Sequence, residues 1–305
     1  MFKRILVPLD GSSLAEYALA PAMALARALE AEVLLLRSIP MVQPVFALPA
    51  VLSGEVDGEL TRLSSEGRRQ EAQDYLAAMR RRYECPGCLV HYVTPEGDPA
   101  EAIVDVAAER EVDLVVMSTH GQTGVRRAVF GSVSERVLHR VHCPTLVVRT
   151  HDPIRRVLIT LDGSPLGERV LPPALAVARA LGAQVILLRV NEAMLNPLEI
   201  GLMWDVEPMA DEKITAQYHR GAERYLAALA AREGLSDEAL VVLDGAAAER
   251  IEEFARLAGI DLIAMSTHGH SGLRRWLYGS VTTRVMRGGE RSMLIVRPPS
   301  EALSG

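Results

Sequence analysis

Met117-Ser118-Thr119-His120-Gly121 recurs as Met265-Ser266-Thr267-His268-Gly269. Each copy runs on through glycine and paired arginines to Phe130-Gly131-Ser132-Val133 or Tyr278-Gly279-Ser280-Val281, with a constant offset through the block. A repeat that carries its own strand, glycine loop and helix start marks a duplicated domain rather than a solenoid unit. The glycines also stand where a loop can hold a phosphate, so architecture and a candidate site come from one observation.

At 305 residues the chain has room for about two domains of ~150 residues, each able to bury a core of its own. The repeat divides it at 1–150 and 154–298, across the short polar link Thr150-His151-Asp152-Pro153. Apolar residues make up 49% and charged residues 24%, ordinary for a soluble globular protein. A formal charge of −6 argues against a nucleic-acid partner, which needs a cationic surface. No apolar run is long enough to cross a bilayer. Met1 to Asp10 reads as a buried first strand and not as a secretory signal, so the expected location is the cytoplasm, with no membrane partner. Three cysteines, Cys85, Cys88 and Cys143, cannot form a disulfide framework.

Strand and helix signals alternate along the first half. Lys3–Leu9, Glu32–Arg37, Leu89–Val93, Asp113–Met117 and Thr145–Arg149 are the apolar runs of strands covered on both faces. Ser12 and Ser13 offer an N-cap, and Glu16 three residues after Ser13 predicts a capping box. Pro21 falls inside the helix that follows and predicts a kink; Pro173 occupies the matching place. Residues 40–58 read as a long apolar loop, a lid or a connector, before a helix from about Leu60 to Tyr83. Asp98-Pro99 predicts an N-cap with proline at the first helical position. A further helix is expected over Ser132–Arg140. In the second half Arg156–Leu161, Gln184–Val190, Leu240–Leu243, Asp261–Met265 and Met293–Arg297 repeat the five strands. The offset is larger at the first strand than at the fourth, which places a few extra residues of the first copy between its second and third strands. The expected fold is α/β: two tandem, Rossmann-like domains, each a five-stranded parallel sheet of order 3-2-1-4-5 with helices on both faces.

In that order strands one and four are neighbours where the winding reverses, and ligands settle in the crevice outside their carboxyl ends. Asp10 and the loop from Ser118 face each other across it, as do Asp162 and the loop from Ser266. Gly121, Gly124 and Gly131, and likewise Gly269, Gly272 and Gly279, let a ligand approach the backbone, and successive N–H groups form an anion nest. Gly131-Ser132-Val133 and Gly279-Ser280-Val281 open helices whose first amides and macrodipole favour a phosphate. Asp10 and Asp162 accept hydrogen bonds from an exocyclic amine or a sugar hydroxyl, or cap a turn. No Gly-Lys-Ser/Thr closes the loop, so it is not a P-loop.

With these residues the chain resembles the universal stress protein family, as a tandem two-domain member, over nearly its whole length. Nucleotide-binding members carry Gly-x2-Gly-x9-Gly-Ser/Thr after the fourth strand; the matches here are Ser118-x2-Gly121-x9-Gly131-Ser132 and Ser266-x2-Gly269-x9-Gly279-Ser280, with serine for the first glycine in both copies. The family's adenine-contacting aspartate matches Asp10 and Asp162, and its base-contacting residue at the end of strand two matches Ser38 and Val190. The turn before the third helix matches Gly97-Asp98-Pro99 and Gly245-Ala246-Ala247. The resemblance implies an ATP-binding stress-response protein, with Mg2+ on the phosphates and little or no turnover, and not an enzyme. It also implies pairing of the two halves through their fifth strands, with a homodimer of the whole chain as a further option. Two alternatives stand beside it: a slow nucleotide hydrolase or adenylyl-transfer enzyme on the same scaffold, and a partner-binding module that takes no nucleotide.

Arg126-Arg127 and Arg274-Arg275 read as solvated faces, with phosphate contact as the alternative. His120 and His268 have no partner nucleophile in view and read as structural. Cys85-Pro86-Gly87-Cys88 with His91 looks like half a zinc site, but the second copy lacks it and no other cysteine pair completes it.

Overall fold

The computed structural model describes residues 2–40, 58–84, 87–118, 131–192, 212–236, 239–267 and 280–297, with the side chains of 58–65 and 212–215 outside that description. The chain divides into two compact units, Met1–His151 and Asp152–Gly305. The first holds β1 (Arg4–Pro8), a 3-10 turn (Ala15–Ala18) leading into α1 (Leu19–Leu29), β2 (Glu32–Leu36), α2 (Gly58–Tyr83), β3 (Val90–Val93), α3 (Pro99–Glu109), β4 (Leu114–Ser118), α4 (Ser132–Arg140) and β5 (Thr145–Val148). Its strands are all parallel, in the order β3-β2-β1-β4-β5. The second holds β6 (Arg156–Leu161), a 3-10 turn (Gly167–Val170), α5 (Leu171–Leu181), β7 (Gln184–Asn191), α6 (Glu212–Glu233), β8 (Leu240–Asp244), α7 (Ala247–Leu257), β9 (Leu262–Ser266), α8 (Ser280–Gly288) and β10 (Ser292–Val296). It has the same parallel order, β8-β7-β6-β9-β10. Among the described residues no helix is long and apolar enough to cross a membrane.

The central strands are apolar without interruption because both their faces are covered. Leu6, Leu36, Val115 and Met117 pack with Ile103, Ala107, Val137 and Val141 of the α3/α4 layer. The alternating residues Ile5, Val7, Val33 and Leu35, all fully buried, project to the face of α1 and α2. The amino end of the β1/β4 pair is closed by one carboxylate: Asp113 Oδ2 accepts from the backbone N–H groups of Lys3 (2.7 Å) and Arg4 (3.0 Å). Asp261 does the same for Arg155 (2.8 Å) and Arg156 (2.9 Å) in the second unit. Two otherwise unpaired strand-end donors are thereby satisfied, and the register of the pair is pinned.

Asp98 caps α3 as its sequence predicts, accepting from Ala100 N (2.9 Å) and Glu101 N (3.1 Å) with Pro99 at the first helical position. Two helix expectations need correction. Ser12, not Ser13, supplies the hydroxyl at the start of the first helical segment: its Oγ accepts from Ala15 N at 3.1 Å, and no side chain caps at Leu14. Gly11, at φ +87°, swings the chain by one residue and brings Ser12 over the open amides. Pro21 does not kink α1. The chain passes from the 3-10 turn to the α-helix at Leu19, so Pro21, like Pro173 in α5, falls in the first α-helical turn, where a missing N–H costs no helix bond. The expected loop over 40–58 lies outside the described residues except at its two ends.

The duplicated copies also report on strain. α1 ends on Glu30 at φ 52°, where the second unit has Gly182 at φ 64°. A left-handed C-cap suits glycine and penalises a Cβ. Glu30→Gly is expected to stabilise the first unit by about 0.5–1 kcal/mol, read as a rise in urea midpoint at constant slope.

Candidate functional site

In each unit the winding reverses between the strands that carry the candidate residues: β1 pairs directly with β4, and β6 with β9. Asp10 leaves the end of β1 half-buried, and its Oδ1 accepts from Ser12 N at 2.9 Å. The 3-10 turn after it packs against β4, which sets the acidic turn at the mouth of the crevice. Ser118 closes β4. Its carbonyl accepts from Ser134 Oγ at 3.1 Å, and Ser266 O from Thr282 Oγ1 at 3.0 Å. These two buried hydroxyls draw the first turns of α4 and α8 onto the strand ends. Neither is among the residues expected from the sequence; the matched spacing Gly131-Ser132-x-Ser134 and Gly279-Ser280-x-Thr282 is the signal that finds them.

Gly131 is the N-cap of α4 in extended conformation (φ −62°, ψ 142°), and among the described residues no side chain caps the helix. Among the described residues no side chain accepts from the amides of its first turn, at Ser132 and Val133, the arrangement that favours an anion. Ser132 and Ser280 are exposed, and Val133 and Val281 half-buried. Gly121, Gly124, Gly269, Gly272 and Gly279 lie outside the described residues, as do His120, His268 and the two arginine pairs. Ser38 comes after β2, and its hydroxyl donates to Gly97 O at 2.7 Å, so it ties the second strand to the turn before α3. Val190 stands half-buried within β7, paired with Leu243.

The two crevices differ. Gly97 (φ +118°) and Gly245 (φ +127°) make the same turn, but the next residue is aspartate in one copy and alanine in the other. In the first unit Arg136 of α4 forks onto both oxygens of Asp98 (2.8 and 2.9 Å) and reaches Glu101 at 3.1 Å. Arg140 also pairs with Glu101. The Arg136 hydrogen bond, helped by the capped amides, holds the Asp98 carboxyl below the usual range. In the second unit Ala246 offers no cap. Ala247 N donates instead to Glu192 Oε1 at a long 3.4 Å. A cavity of about 150 Å³ remains, lined by Glu192, Ala246, Ala247, Ser280, Val281 and Arg284. Arg284 matches Arg136, but Ala246 stands where its aspartate would be.

The acidic turns differ too. Asp162 Oδ1 accepts from both Ser164 N (2.9 Å) and Ser164 Oγ (2.7 Å). It lies so close over Gly167 that a Cβ there would meet it at 2.2 Å. Ala15 occupies the matching place in the first unit, so the Asp10 carboxylate cannot fold back in that way.

Cys88 and Cys143 are both buried, and burial pushes the Cys143 thiol up to about 12. His91 is exposed on β3, and Cys85 lies outside the described residues. Among the described residues no three His, Cys, Asp or Glu side chains gather as a metal site.

The sequence model of the Universal stress protein family matches the chain twice, over residues 1–149 and 153–297. A universal stress protein of Methanocaldococcus jannaschii is 37% identical over 149 residues, spanning 49% of this chain and 83% of that protein. A Mycobacterium tuberculosis universal stress protein is 25% identical over 209 residues, 65% of this chain and 66% of that protein. The crystal structure of a universal stress protein from Archaeoglobus fulgidus superimposes with a TM-score of 0.66 over 96% of this chain and 98% of that one, at 19% identity, a likeness of fold.

Because its folded-state pKa is depressed, Asp98 contributes stability that is fully present above the unfolded value of about 3.9 and lost as pH falls through the folded one. The urea midpoints of wild type and Asp98→Asn are therefore expected to differ at pH 6 and to draw together as pH falls below about 3.9. A gap that stays constant across that range would assign the Asp98–Arg136 contact no electrostatic role.

Proposed function

The chain belongs to the universal stress protein family, and we propose that within it this protein binds an adenine nucleotide, ATP foremost, in the crevices at β1/β4 and β6/β9 and acts as a regulatory protein with little or no turnover. One observation carries this reading. In each unit an aspartate turn at the end of one central strand stands beside a neighbouring strand that leads on to a helix start, and the one at Gly131 has no side-chain cap among the described residues. An anion gains about 0.3–2 kcal/mol from such a helix terminus, and an aspartate at the strand end suits a base amine or ribose hydroxyl. Phosphates would lie on the amides of Ser132 and Val133, and the nucleoside toward Asp10 and Ser38; Asp162, Val190, Ser280 and Val281 supply the matching places.

Since no carboxylate cage gathers among the described residues, a Mg2+ ion would come with the phosphates and keep its waters, as Mg2+ commonly does. Differential affinity for two states of the protein is then the route to a signal.

Calorimetric titration with ATP tests the reading. Wild type is expected to take up nucleotide, Gly131→Val and Gly279→Val each to weaken one site tenfold or more, about 1.4 kcal/mol, and the double variant to weaken both. Unchanged affinity in the double variant would remove the site assignment. Steady release of ADP over many equivalents of protein would replace binding with catalysis.

A further inference from the structure

Behind each acidic turn lies a guanidinium group. Arg37 comes directly after β2 and Arg189 lies within β7. Strand alternation sends both to the face opposite Ser38 and Val190. There the Arg37 guanidinium carbon sits 5.2 Å over the ring of Tyr75 in α2, and that of Arg189 sits 5.1 Å over Tyr225 in α6, both within cation–π range. Each guanidinium also meets the glycine of the acidic turn. A Cβ at Gly11 would stand 3.4 Å from the Arg37 guanidinium carbon, and one at Gly163 would stand 2.9 Å from Arg189 Nη1. Both glycines hold a left-handed φ, +87° and +85°. Turn, guanidinium and ring form a three-layer stack, built twice.

The stack is tied back to the turn it supports. The Tyr75 hydroxyl donates to Glu16 Oε1 at 3.2 Å, and Glu16 belongs to the 3-10 turn after Asp10. The Tyr225 hydroxyl is buried beside Glu168, the matching residue, without reaching hydrogen-bond geometry. Arg82 approaches Glu16 at 3.7 Å and Arg232 approaches Glu168 at 3.4 Å. Glu71 pairs with Arg37 at 2.9 Å, leaving its side chain only 18% exposed. Gly221 stands where Glu71 would be, and among the described residues no carboxylate pairs with Arg189. Taking a cation this far out of water is costly unless partners repay it. A simple strand end needs no charge there, yet both copies keep one.

We infer that Arg37 and Arg189 are positioning residues for base recognition: each planar guanidinium, seated on its tyrosine ring, holds the Asp10 or Asp162 turn at the height from which the carboxylate meets the amine edge of an adenine. The inference rests on the nucleotide reading above and names what sets its base preference. A recognition group held within about 0.5 Å by its supporting shell keeps its selectivity. Loss of the stack frees the turn without touching the amides that take the phosphates.

The full chain carrying Arg37→Gln and Arg189→Gln tests this, with Arg37→Lys/Arg189→Lys beside it and Tyr75→Leu/Tyr225→Leu as a second route that removes the ring and keeps the charge. Two quantities are read: affinity for ATP against inorganic triphosphate, and amide exchange at Ser12 and Ser164 without ligand. All three variants are expected to lose about tenfold in ATP affinity with triphosphate affinity unchanged, since an ammonium lacks the plane that fills the stack. Exchange at Ser12 and Ser164 is expected to rise at least tenfold while β1 and β4 stay protected. If wild type binds ATP and the variants keep both the ATP-to-triphosphate ratio and the exchange of Ser12 and Ser164, the positioning role is overturned alone. Equal losses for ATP and triphosphate also overturn it, in favour of a purely structural role. A wild-type protein that takes up no ATP overturns the nucleotide reading and the base-recognition role together.

Discussion

The pairing of β1 with β4, and of β6 with β9, is the interaction on which everything else depends. It is where the winding of each sheet reverses, the place where a crevice opens outside the carboxyl ends of the strands. Its amino end is shut by a carboxylate, Asp113 or Asp261, that takes two strand-end amides. Its length is filled by side chains such as Leu6, Val115, Leu158 and Ile263 that water does not reach. Closed below and dry within, the seam opens at the top. There the acidic turn and the hydroxyl-anchored helix start gather. The crevice thus arises from how parallel strands satisfy their backbone groups.

The two copies keep the frame and vary the walls. The aspartate clamp, the hydroxyl on the strand-four carbonyl and the arginine–tyrosine stack behind the turn recur in both units. Three of the exchanged residues face the crevice or lie beside it: Asp98 becomes Ala246, Ser38 becomes Val190, Ala15 becomes Gly167. Each exchange alters which donors and acceptors are already engaged. Asp98 spends the α3 amides and Arg136 on one another, whereas the second unit leaves its amides to a distant Glu192 and a cavity. Gly167 lets Asp162 fold onto its own turn, a position a methyl group at Ala15 denies to Asp10. Duplication on this frame yields two chemically distinct crevices.

Much of this was readable in one dimension. The strands announced themselves as unbroken apolar runs because both their faces are buried, and Asp98-Pro99 announced a helix start because cap and proline act on neighbouring amides. Where sequence expectation failed, the competing influence was conformational. Ser12 displaced Ser13 because Gly11 turns left-handed, and Pro21 proved harmless because a 3-10 turn precedes α1. Arg37 looks in the sequence like the polar end of a strand, since nothing beside it in the chain hints that Tyr75 will lie under it.

By itself, then, the sequence determined the α/β class, the duplication, the strand order expected from right-handed crossovers, and the residues that line up at the strand ends. Those depend on hydrophobic periodicity, glycine and cap chemistry, all of which act within a few residues. Only the tertiary structure decided which hydroxyl anchors which carbonyl, which carboxylate is already engaged, and that a guanidinium fills the space beneath each glycine turn. Such contacts join segments remote in the chain, and their geometry exists only once the sheet and its helix layers have packed.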